Sequence, residues 1–372
     1  MKISVVTPNF TIAGVPLAQI RFARALANKG HDVDLVIGFI DPQYEFPDLG
    51  ALTLVELKRR HVREMLLPLM KYLRAAKPDV VFSAEDHLNA VVLLAAIVSG
   101  SKAKISCSSR VTPFDTYSNV PFSKRWILKQ FMRAVMWRAD AMTCVSQDMV
   151  GQYRRVFRSA PHLCVYNIVD DSDSRERSRE PVQHEWLQQK SCPALIAAGR
   201  LAPWKGFADL IRAMHVLAAR RKLKLLILGD GPLRGELEKM ISDLNLGDSV
   251  ALLGYVANPL KFFTRADVFV LSSHVEGLPN VLVEAMMCGC TPVSTDCPTG
   301  PREVLENGKF GYLVPMRDPN ALAVGIEKAL DFPIPRELLA TAVRPFEEAV
   351  VVQRHFEVLG IAGHSELSAE KS

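Results

Sequence analysis

The sequence predicts an α/β protein with two doubly wound domains, each built on a parallel sheet. Three observations support this fold class. The chain has 372 residues, which is more than one ordinary hydrophobic core needs. Within its short apolar strands, apolar and polar residues do not alternate, and segments of helix length separate the strands. This pattern is typical of a parallel sheet that is buried on both faces. This pattern is interrupted once, by a polar stretch near the middle of the chain.

The first domain is predicted over residues 1–170. Pro16 suits the first turn of its first helix, and Gly30 suits the end of that helix. The predicted elements are a strand at 2–7, a helix at about 15–29, and strands at 33–37, 80–83 and 104–108. No signal peptide is expected at the start, and the longest apolar run, 90–98, is too short to span a bilayer.

Residues 171–190 are predicted to form a polar linker, because they are charged and almost free of aliphatic side chains. The second domain is predicted over residues 191–344, and a last helix at about 345–360 is expected to pack back on the first domain. Two such domains in tandem are expected to bind ligand in the cleft where the carboxyl ends of their strands face each other. The elements of the second domain are strands at 194–198, 224–228, 268–271 and 291–294, and helices at 206–221, 233–244 and 279–288.

Charge is distributed unevenly along the chain. Residues 1–190 hold 26 of the 45 Lys and Arg but only 19 of the 40 Asp and Glu, which gives them a net charge of +7. The remainder has a net charge of −2. This asymmetry indicates that the first half meets an anionic partner. Charge alone leaves nucleic acid, acidic lipid and phosphorylated small molecules open, although no recognised nucleic-acid-binding motif accompanies it.

The stretch EGLPNVLVEAM carries two glutamates, Glu276 and Glu284, separated by seven residues. Glu276 lies in a loop at a predicted strand end, and Gly277, Leu278 and Asn280 lead into a helix whose free amides and dipole favour a phosphate. Glu284 lies in an otherwise apolar helical stretch, where a carboxylate needs hydrogen-bond donors. Ribose hydroxyls are suitable donors, and the alternative is an exposed glutamate on an amphipathic helix.

Two further loops follow predicted strands. Arg200 and Lys205 are cations that together suit a diphosphate, and the alternative is that both are simply solvated. Gly229 and Gly231 form a tight turn that permits close approach by a ligand, and a purely structural turn is the alternative. Neither a dinucleotide-binding fingerprint nor a P-loop is present.

Taken in order, these motifs resemble the retaining glycosyltransferase family 4, whose members have the GT-B fold of two Rossmann-like domains. The sequence around EGLPN and DCPTGP is similar to that of the family branch that builds bacterial lipopolysaccharide core, O-antigen, capsule or lipid-linked oligosaccharide. The matching pieces are the Gly14 loop, Gly199-Arg200 with Lys205, Gly229-Asp230-Gly231-Pro232, the two glutamates and the stretch DCPTGPREVLENGKFGYLVP.

The resemblance implies a transferase that moves a hexose or N-acetylhexosamine from a nucleoside diphosphate sugar, such as a UDP-sugar, to a cell-envelope glycan or lipid-linked acceptor. It implies that Arg200 and Lys205 bind the donor diphosphate, that Glu276 lies beside the donor sugar, and that Glu284 holds the ribose. The other donor-binding residues it implies are Gly14, Gly229, Gly231, Gly254, Val256, Gly277, Leu278 and Asn280.

On the acceptor side the resemblance implies Arg110 and His87. Here the sequence departs from the family, because many members have a histidine where this chain reads Ser108-Ser109-Arg110. Many members also have two adjacent glycines in the first loop, whereas only Gly14 is present. Cofactors and metals are not expected, since Cys288, Cys290 and Cys297 lack a usual zinc spacing and neither D-x-D sequence lies at a suitable strand end. The cysteines are expected to be buried thiols.

The stretch 121–138 carries five basic residues, no acid and interleaved aromatic residues. Such a helix can lie on an anionic membrane surface, and the alternative is a packed helix whose cations snorkel to solvent. Residues 58–60 and Arg63 are expected to extend this basic surface. The expected location is cytoplasmic, on the inner face of the bacterial membrane. The residues predicted to meet the membrane are Lys124, Arg125, Trp126, Lys129 and Arg133.

Two alternatives to sugar transfer stay open at this point. A nucleotide-sugar epimerase of the non-hydrolysing type also uses two such domains, but the spacing of the two glutamates argues against it. A binding module that has lost catalysis is the other alternative, and the presence of Glu276, Arg200 and Lys205 argues against that.

Overall fold

The computed structural model describes residues 1–10, 14–43, 46, 48–158 and 162–361. The chain forms two compact units, one comprising Met1–Ile168 with the segment that begins at Glu348, and the other comprising Val169–Glu347. Each unit contains one all-parallel sheet, and helices connect most of its successive strands. The predicted class of two doubly wound α/β domains is therefore confirmed.

The first sheet has seven strands in the order β3-β2-β1-β4-β5-β6-β7. Its strands are β1 (Lys2–Phe10), β2 (Asp32–Ile40), β3 (Thr53–Glu56), β4 (Val80–Ala84), β5 (Lys104–Ser109), β6 (Ala141–Cys144) and β7 (His162–Cys164). The helices of this part are α1 (Gly14–Asn28), α2 (Leu66–Ala76), α3 (Asp86–Ser99), α4 (Pro113–Thr116), α5 (Lys124–Val135) and α6 (Gln147–Val156).

The second sheet has six strands in the order β10-β9-β8-β11-β12-β13. Its unit begins with two short helices, α7 (Ser172–Ser178) and α8 (Glu185–Gln188). The strands are β8 (Ala194–Ala198), β9 (Lys224–Leu228), β10 (Val250–Gly254), β11 (Val268–Leu271), β12 (Thr291–Thr295) and β13 (Tyr312–Val314). The remaining helices of the unit are α9 (Phe207–Ala218), α10 (Arg234–Asp243), α11 (Leu260–Phe263), α12 (Asn280–Met287), α13 (Pro301–Val304), α14 (Pro319–Asp331) and α15 (Arg336–Val343).

The central strands are buried along their whole length. Every residue of β4 and of β8 is buried, which explains why their sequences lack polar alternation. In each sheet the strand order reverses beside the first strand of the unit, between β1 and β4 and between β8 and β11. Because ligands of doubly wound folds bind beyond the carboxyl ends of the strands at such a reversal, these two edges are where sites are expected.

The segment predicted as a linker differs from that expectation. Residues 171–190 form α7 and α8 and belong to the second unit. Asp171 caps α7 by accepting a hydrogen bond from the Ser174 amide at 2.7 Å. Val182 and Leu187 are 5% and 4% exposed, so this polar stretch contributes two apolar side chains to the buried part of the unit.

The last helix of the chain, α16 (Glu348–Val358), packs into the core of the first unit. Val351, Val352 and Phe356 are buried there together with Ile3 and other residues of the β-strands. Their spacing places them on one face of the helix. No helix in the described ranges has the length and apolar run that a bilayer crossing requires.

Candidate active site

Two sequence motifs meet at the strand reversal of the second sheet. β8 ends at Ala198 and is followed by the loop that carries Arg200 and Lys205. β11 lies beside β8 and is followed by the loop that carries Glu276. The fold thus brings the three predicted catalytic residues to one edge of one sheet, although Glu276 is more than 70 residues from both cations in sequence.

Lys205 and Glu276 are in direct contact. The Lys205 Nζ lies 2.6 Å from Glu276 Oε1, and Ser273 Oγ donates a hydrogen bond to the same oxygen at 2.6 Å. The side chains of Lys205 and Glu276 are only 19% and 10% exposed. A close ion pair that is largely removed from water is held strongly, since breaking it would leave a charge without a partner.

The loops after β8 and β11 are also bonded through their main chains. Ser272 Oγ donates to the Lys205 carbonyl at 2.8 Å, and the His274 amide donates to the Trp204 carbonyl at 2.7 Å. Gly206 has φ +65°, and a Cβ there would lie under 3.0 Å from the Ser272 carbonyl oxygen. Only glycine allows this approach, which fixes the position of Lys205 relative to Glu276.

Ser273 and Thr299 are two supporting residues that the sequence pattern does not single out. Ser273 is 1% exposed and bonds the Glu276 side chain, while Thr299 Oγ1 donates to the Glu276 backbone carbonyl. Ser273 could have been predicted, because it lies three residues before a glutamate in the loop that follows a strand. Nothing in the sequence brings Thr299 to this loop, because that contact depends on the tertiary fold.

Arg200 is exposed beside this pair. Within the described part of the chain its guanidinium has no ion-pair partner. A guanidinium fork at the carboxyl edge of the sheet, on the same loop as a lysine, is suited to a phosphate or diphosphate.

The start of α12 is more enclosed than the sequence suggests. Leu278 is buried, and the Asn280 amide donates to the Leu278 carbonyl at 3.0 Å, so that amide already has an acceptor. Gly277 lies against Gly300, where a Cβ would come within 2.8 Å of the Gly277 carbonyl oxygen. Phosphate binding at this turn stays a prediction, since the Leu282 and Val283 amides also donate within the turn, to the Pro279 carbonyl at 2.9 and 3.5 Å.

Packing accounts for two of the predicted donor-binding glycines, and backbone conformation accounts for a third. A Cβ at Gly229 or at Gly231 would lie under 3.0 Å from the backbone of the β8 loop. The Gly229 amide donates to the Gly254 carbonyl at 2.7 Å, and Gly254 has φ +73°. The loops after β8, β9 and β10 are therefore stacked through their backbones. Ligand contact by these glycines and by half-buried Val256 stays a prediction.

Glu284 is half-buried on α12. If it binds the ribose of the donor, Glu284→Gln should weaken binding of a free nucleoside diphosphate about tenfold, because a hydrogen bond to a charged acceptor is lost. Thermal stability should not change. Calorimetric titration with the nucleotide checks this, with Glu236→Gln on the exposed surface of α10 as the control. Equal nucleotide affinity in both variants would show that Glu284 is a surface charge.

The predicted acceptor residues follow β4, at the strand reversal of the first sheet, and the neighbouring strand β5. His87 follows β4, and its Nε2 lies 3.2 Å from Glu85 Oε2. Arg110 follows β5 and donates to Asn167 Oδ1. Burial lowers the pKa of the Arg110 guanidinium to about 10, and the nearby Glu85 carboxylate opposes that shift, so Arg110 stays charged at neutral pH. The sequence does not indicate that Glu85 belongs to this site. In the structure its φ of +79° marks a strained backbone position.

Gly14 is the first residue of α1, and its neighbour Ala13 lies outside the described residues. Among described atoms, nothing lies within 4 Å of a Cβ built at Gly14. Packing within the described structure therefore does not require glycine at this position, and its donor-binding role stays a prediction.

The predicted membrane helix is α5, and one of its assigned residues is wrong. Lys129 is 8% exposed and donates to Asn119 Oδ1 at 2.7 Å. It shares the buried face with Met132, three residues later, and so cannot meet a membrane. Lys124, Arg125 and Arg133 are exposed, and Trp126 is half-buried.

Exposed apolar side chains accompany the cations of α5. Phe122 is 84% exposed immediately before the helix, and its ring centroid lies 5.5 Å from that of Trp126. Phe114 and Ile127 are 54% and 53% exposed. The side chain of Arg125 donates to the Phe114 carbonyl, which holds these residues together. Exposed aromatic residues beside cations are typical of interfacial helices.

The cysteines and other metal-ligating residues form no cluster in the described structure. All seven cysteines are free thiols, and five of them are buried. Within the described ranges no group of three or more His, Cys, Asp and Glu side chains could hold a metal ion.

Two family models match the chain. The model described as "Glycosyl transferases group 1" matches residues 178–344, and the model described as "Glycosyl transferase 4-like domain" matches residues 14–167.

Two similar proteins come from Campylobacter jejuni. One is N-acetylgalactosamine-N,N'-diacetylbacillosaminyl-diphospho-undecaprenol 4-alpha-N-acetylgalactosaminyltransferase, 30% identical over 68% of this chain and 67% of its own length. The other, an alpha-1,4-N-acetyl-D-galactosaminyltransferase acting on a diNAcBac-PP-undecaprenol glycan, is 27% identical over 89% of both chains. Several other relatives are matched over only 51–60% of their own length.

Solved structures share the fold. A glycosyltransferase from Rickettsia africae superimposes with a TM-score of 0.76 at 16% identity, covering 96% of this chain and 97% of its own. The Anabaena protein HepE, in a complex with UDP-glucose, gives a TM-score of 0.72 at 18% identity, covering 97% of this chain and 99% of its own.

Proposed function

The chain belongs to the group 1 glycosyltransferases, and we propose that it moves a hexose or N-acetylhexosamine from a nucleoside diphosphate sugar to a lipid-linked or other cell-envelope glycan. We further propose that transfer retains the anomeric configuration. Family membership favours transfer over the epimerase and the inactive binding module.

One observation carries the proposed donor chemistry: Lys205, Glu276 and Arg200 converge at the strand reversal of the second sheet. Glycosyl transfer needs the nucleoside diphosphate leaving group to be stabilised as the anomeric bond breaks. Preorganised cations supply that stabilisation, and here the largely buried Lys205 shares a loop with the exposed Arg200. In this proposal Arg200 and Lys205 bind the diphosphate, and Glu276 lies beside the donor sugar and its phosphate.

UDP is the nucleotide we propose first, because a structural neighbour, HepE, was solved with UDP-glucose. An N-acetylhexosamine is the first sugar to test, since the two Campylobacter relatives are named for transferring N-acetylgalactosamine to diphospho-undecaprenol glycans. We propose that transfer requires no metal ion, because two cations of the chain itself are placed to neutralise the diphosphate.

The test is a panel of UDP-, GDP- and ADP-sugars offered with a lipid-linked glycan acceptor, with and without EDTA. We expect a glycosylated product with one UDP-sugar, equal rates in both conditions, and an α-linkage by NMR from an α-linked donor. Epimerised nucleotide sugar without acceptor product would indicate an epimerase. Nucleotide binding without either product would indicate a binding module, and inhibition by EDTA would refute the metal-free mechanism.

We also propose that the enzyme works peripherally at the inner face of the cytoplasmic membrane, through α5 and the residues before it. Exposed Lys124, Arg125 and Arg133 provide attraction to anionic lipid, and Phe122 and Ile127 provide apolar contact with the interface. The lipid-linked acceptors named for the Campylobacter relatives support this location.

The triple replacement Lys124→Gln, Arg125→Gln and Arg133→Gln should weaken binding to anionic vesicles about 100-fold, since each cation near an anionic surface is worth about 1 kcal/mol. Flotation with phosphatidylglycerol vesicles at two salt concentrations measures this, and binding should fall as salt rises. The matched control removes three exposed cations of the second unit, Lys222, Lys239 and Lys328. Wild-type protein that does not float at low salt would refute the proposal.

A further inference from the structure

A second basic surface lies in the first unit, at residues 58–63, here called the basic segment. Its sequence is Lys-Arg-Arg-His-Val-Arg. The four cations are exposed, and none of them has an ion pair within the described residues. Other arginines of the unit do find partners, such as Arg138 with Asp140 at 3.3 Å. Four like charges in six residues repel one another unless an anion is bound.

The backbone of the basic segment is fixed to the sheet. Leu57 donates to the Ile37 carbonyl at 2.8 Å, and the Arg59 amide donates to the Gly38 carbonyl at 2.6 Å. A Cβ at Gly38 would lie 3.2 Å from the Arg59 carbonyl oxygen, and under 3.0 Å from the Pro8 carbonyl oxygen of β1. The absence of a side chain at Gly38 therefore allows the basic segment to pack closely on β2. The cations are therefore carried by a segment with a defined position rather than by a free loop.

The position matches that of a ligand site. Ile37 and Gly38 lie near the carboxyl end of β2, and Pro8 lies near the carboxyl end of β1. β1 is the strand beside which the order of the first sheet reverses. The basic segment follows β3, the outermost strand, and crosses the carboxyl end of β2, the neighbour of β1. It thus lies on the carboxyl edge of the sheet, where doubly wound folds bind their ligands, and that edge also carries His87 and Arg110.

The side chains suit an anion with more than one negative charge. Arginine presents a planar fork that pairs with two phosphate oxygens at once. The Arg60 guanidinium lies 4.6 Å from the centroid of the Phe39 ring, which orients it by a cation–π contact. A single carboxylate would leave most of the positive charge uncompensated, whereas a diphosphate, with more than one negative charge, would offset a larger part of it.

We infer that the basic segment binds the phosphate or diphosphate group of the acceptor. This inference rests on the proposed function, since it assigns the acceptor substrate a phosphorylated chemistry. The inference also gives separate roles to two basic surfaces that the sequence analysis treated as one. In this assignment α5 contacts the bilayer, and the basic segment binds the phosphorylated group of one acceptor molecule.

The test variant replaces Arg59, Arg60 and Arg63 with glutamine, and the matched control is the α5 variant with Lys124, Arg125 and Arg133 replaced by glutamine. Binding of farnesyl diphosphate is titrated at constant ionic strength. The donor site is the same in wild type and in both variants, so it contributes equally to farnesyl diphosphate binding. Differences in affinity therefore come from the replaced side chains. We expect the basic-segment variant to lose affinity about tenfold or more, as expected for lost charge-assisted hydrogen bonds, and the control to bind like wild type.

Kinetics then identify the bound group. For the basic-segment variant, KM should rise about tenfold for a diphosphate-linked acceptor and stay unchanged for the alkyl glycoside of the same sugar and for the donor. Equal losses in both variants, or wild-type affinity for farnesyl diphosphate, would overturn the inference. So would loss of phosphatidylglycerol-vesicle binding with unchanged farnesyl diphosphate affinity, which would indicate a headgroup surface only.

The two proposals can fail separately. If wild type transfers no sugar to any acceptor while farnesyl diphosphate binding still depends on the three arginines, the proposed function fails and the site remains. Melting temperatures should match wild type, because the three side chains are exposed.

Discussion

Replacing Lys205 with alanine should lower kcat/KM for sugar transfer by a factor of about 100 to 1,000, the scale on which one charge-stabilising donor contributes to catalysis. The side chain that is lost would, on the proposed mechanism, stabilise the leaving diphosphate. It also holds Glu276, since the Nζ–Oε1 distance is 2.6 Å. Steady-state kinetics with the best donor of the panel measure the effect.

The same replacement should also destabilise the second unit, by up to about 3 kcal/mol, because a mostly buried carboxylate loses its cation. The sequence places Lys205 in a loop, which suggests no loss of stability on its replacement. The loss is predicted because the Glu276 side chain is only 10% exposed. The double variant Lys205→Ala, Glu276→Gln separates the two effects. It should recover most of the melting temperature and none of the activity. Recovery of activity would show that Lys205 serves only to neutralise Glu276.

Gly206→Ala should be among the most damaging single replacements in the protein. Its Cβ would meet the Ser272 carbonyl oxygen under 3.0 Å, and the residue has φ +65°. Neither backbone can move without separating the loops after β8 and β11. We expect a loss of more than about 3 kcal/mol in stability, together with a large loss of transfer, because Lys205 would shift away from Glu276.

Gly308→Ala is the matched control. Gly308 also has positive φ, +96°, but nothing lies within 4 Å of its Cβ. It should therefore show the cost of backbone strain alone, about 1 kcal/mol. Thermal unfolding of both variants checks this. Similar melting temperatures would mean that the Gly206 contact relaxes easily and that this crossing does not fix the site.

The fold class could be predicted because it depends on a local property, the absence of polar alternation in short strands. The pairing of Lys205 with Glu276 could be anticipated in part, since both follow strands and carboxyl ends of parallel strands share an edge. Strand order, which places β8 beside β11, is not written in either motif. Thr299 could not be predicted for the same reason, since its contact with the Glu276 loop depends on the tertiary fold.

Two sequence predictions were wrong because tertiary packing, rather than the local sequence pattern, determines which side chains are buried. Lys129 belongs to the same basic run as Lys124 and Arg125, and only the contacts of α5 show that it faces inward. The predicted linker failed similarly: its average composition is polar, but Val182 and Leu187 are placed where they can be buried. Composition describes a segment, whereas burial depends on single positions.

The return of α16 to the first unit has a consequence for how the protein is made. The core around Val351, Val352 and Phe356 is completed by residues near the end of the chain, after the whole second unit has been synthesised. At roughly 5–20 residues per second, the first unit waits on the order of 10 to 40 s on the ribosome for its last helix. The second unit, which is continuous in sequence, can finish folding first, so the order of folding is the reverse of the order of synthesis.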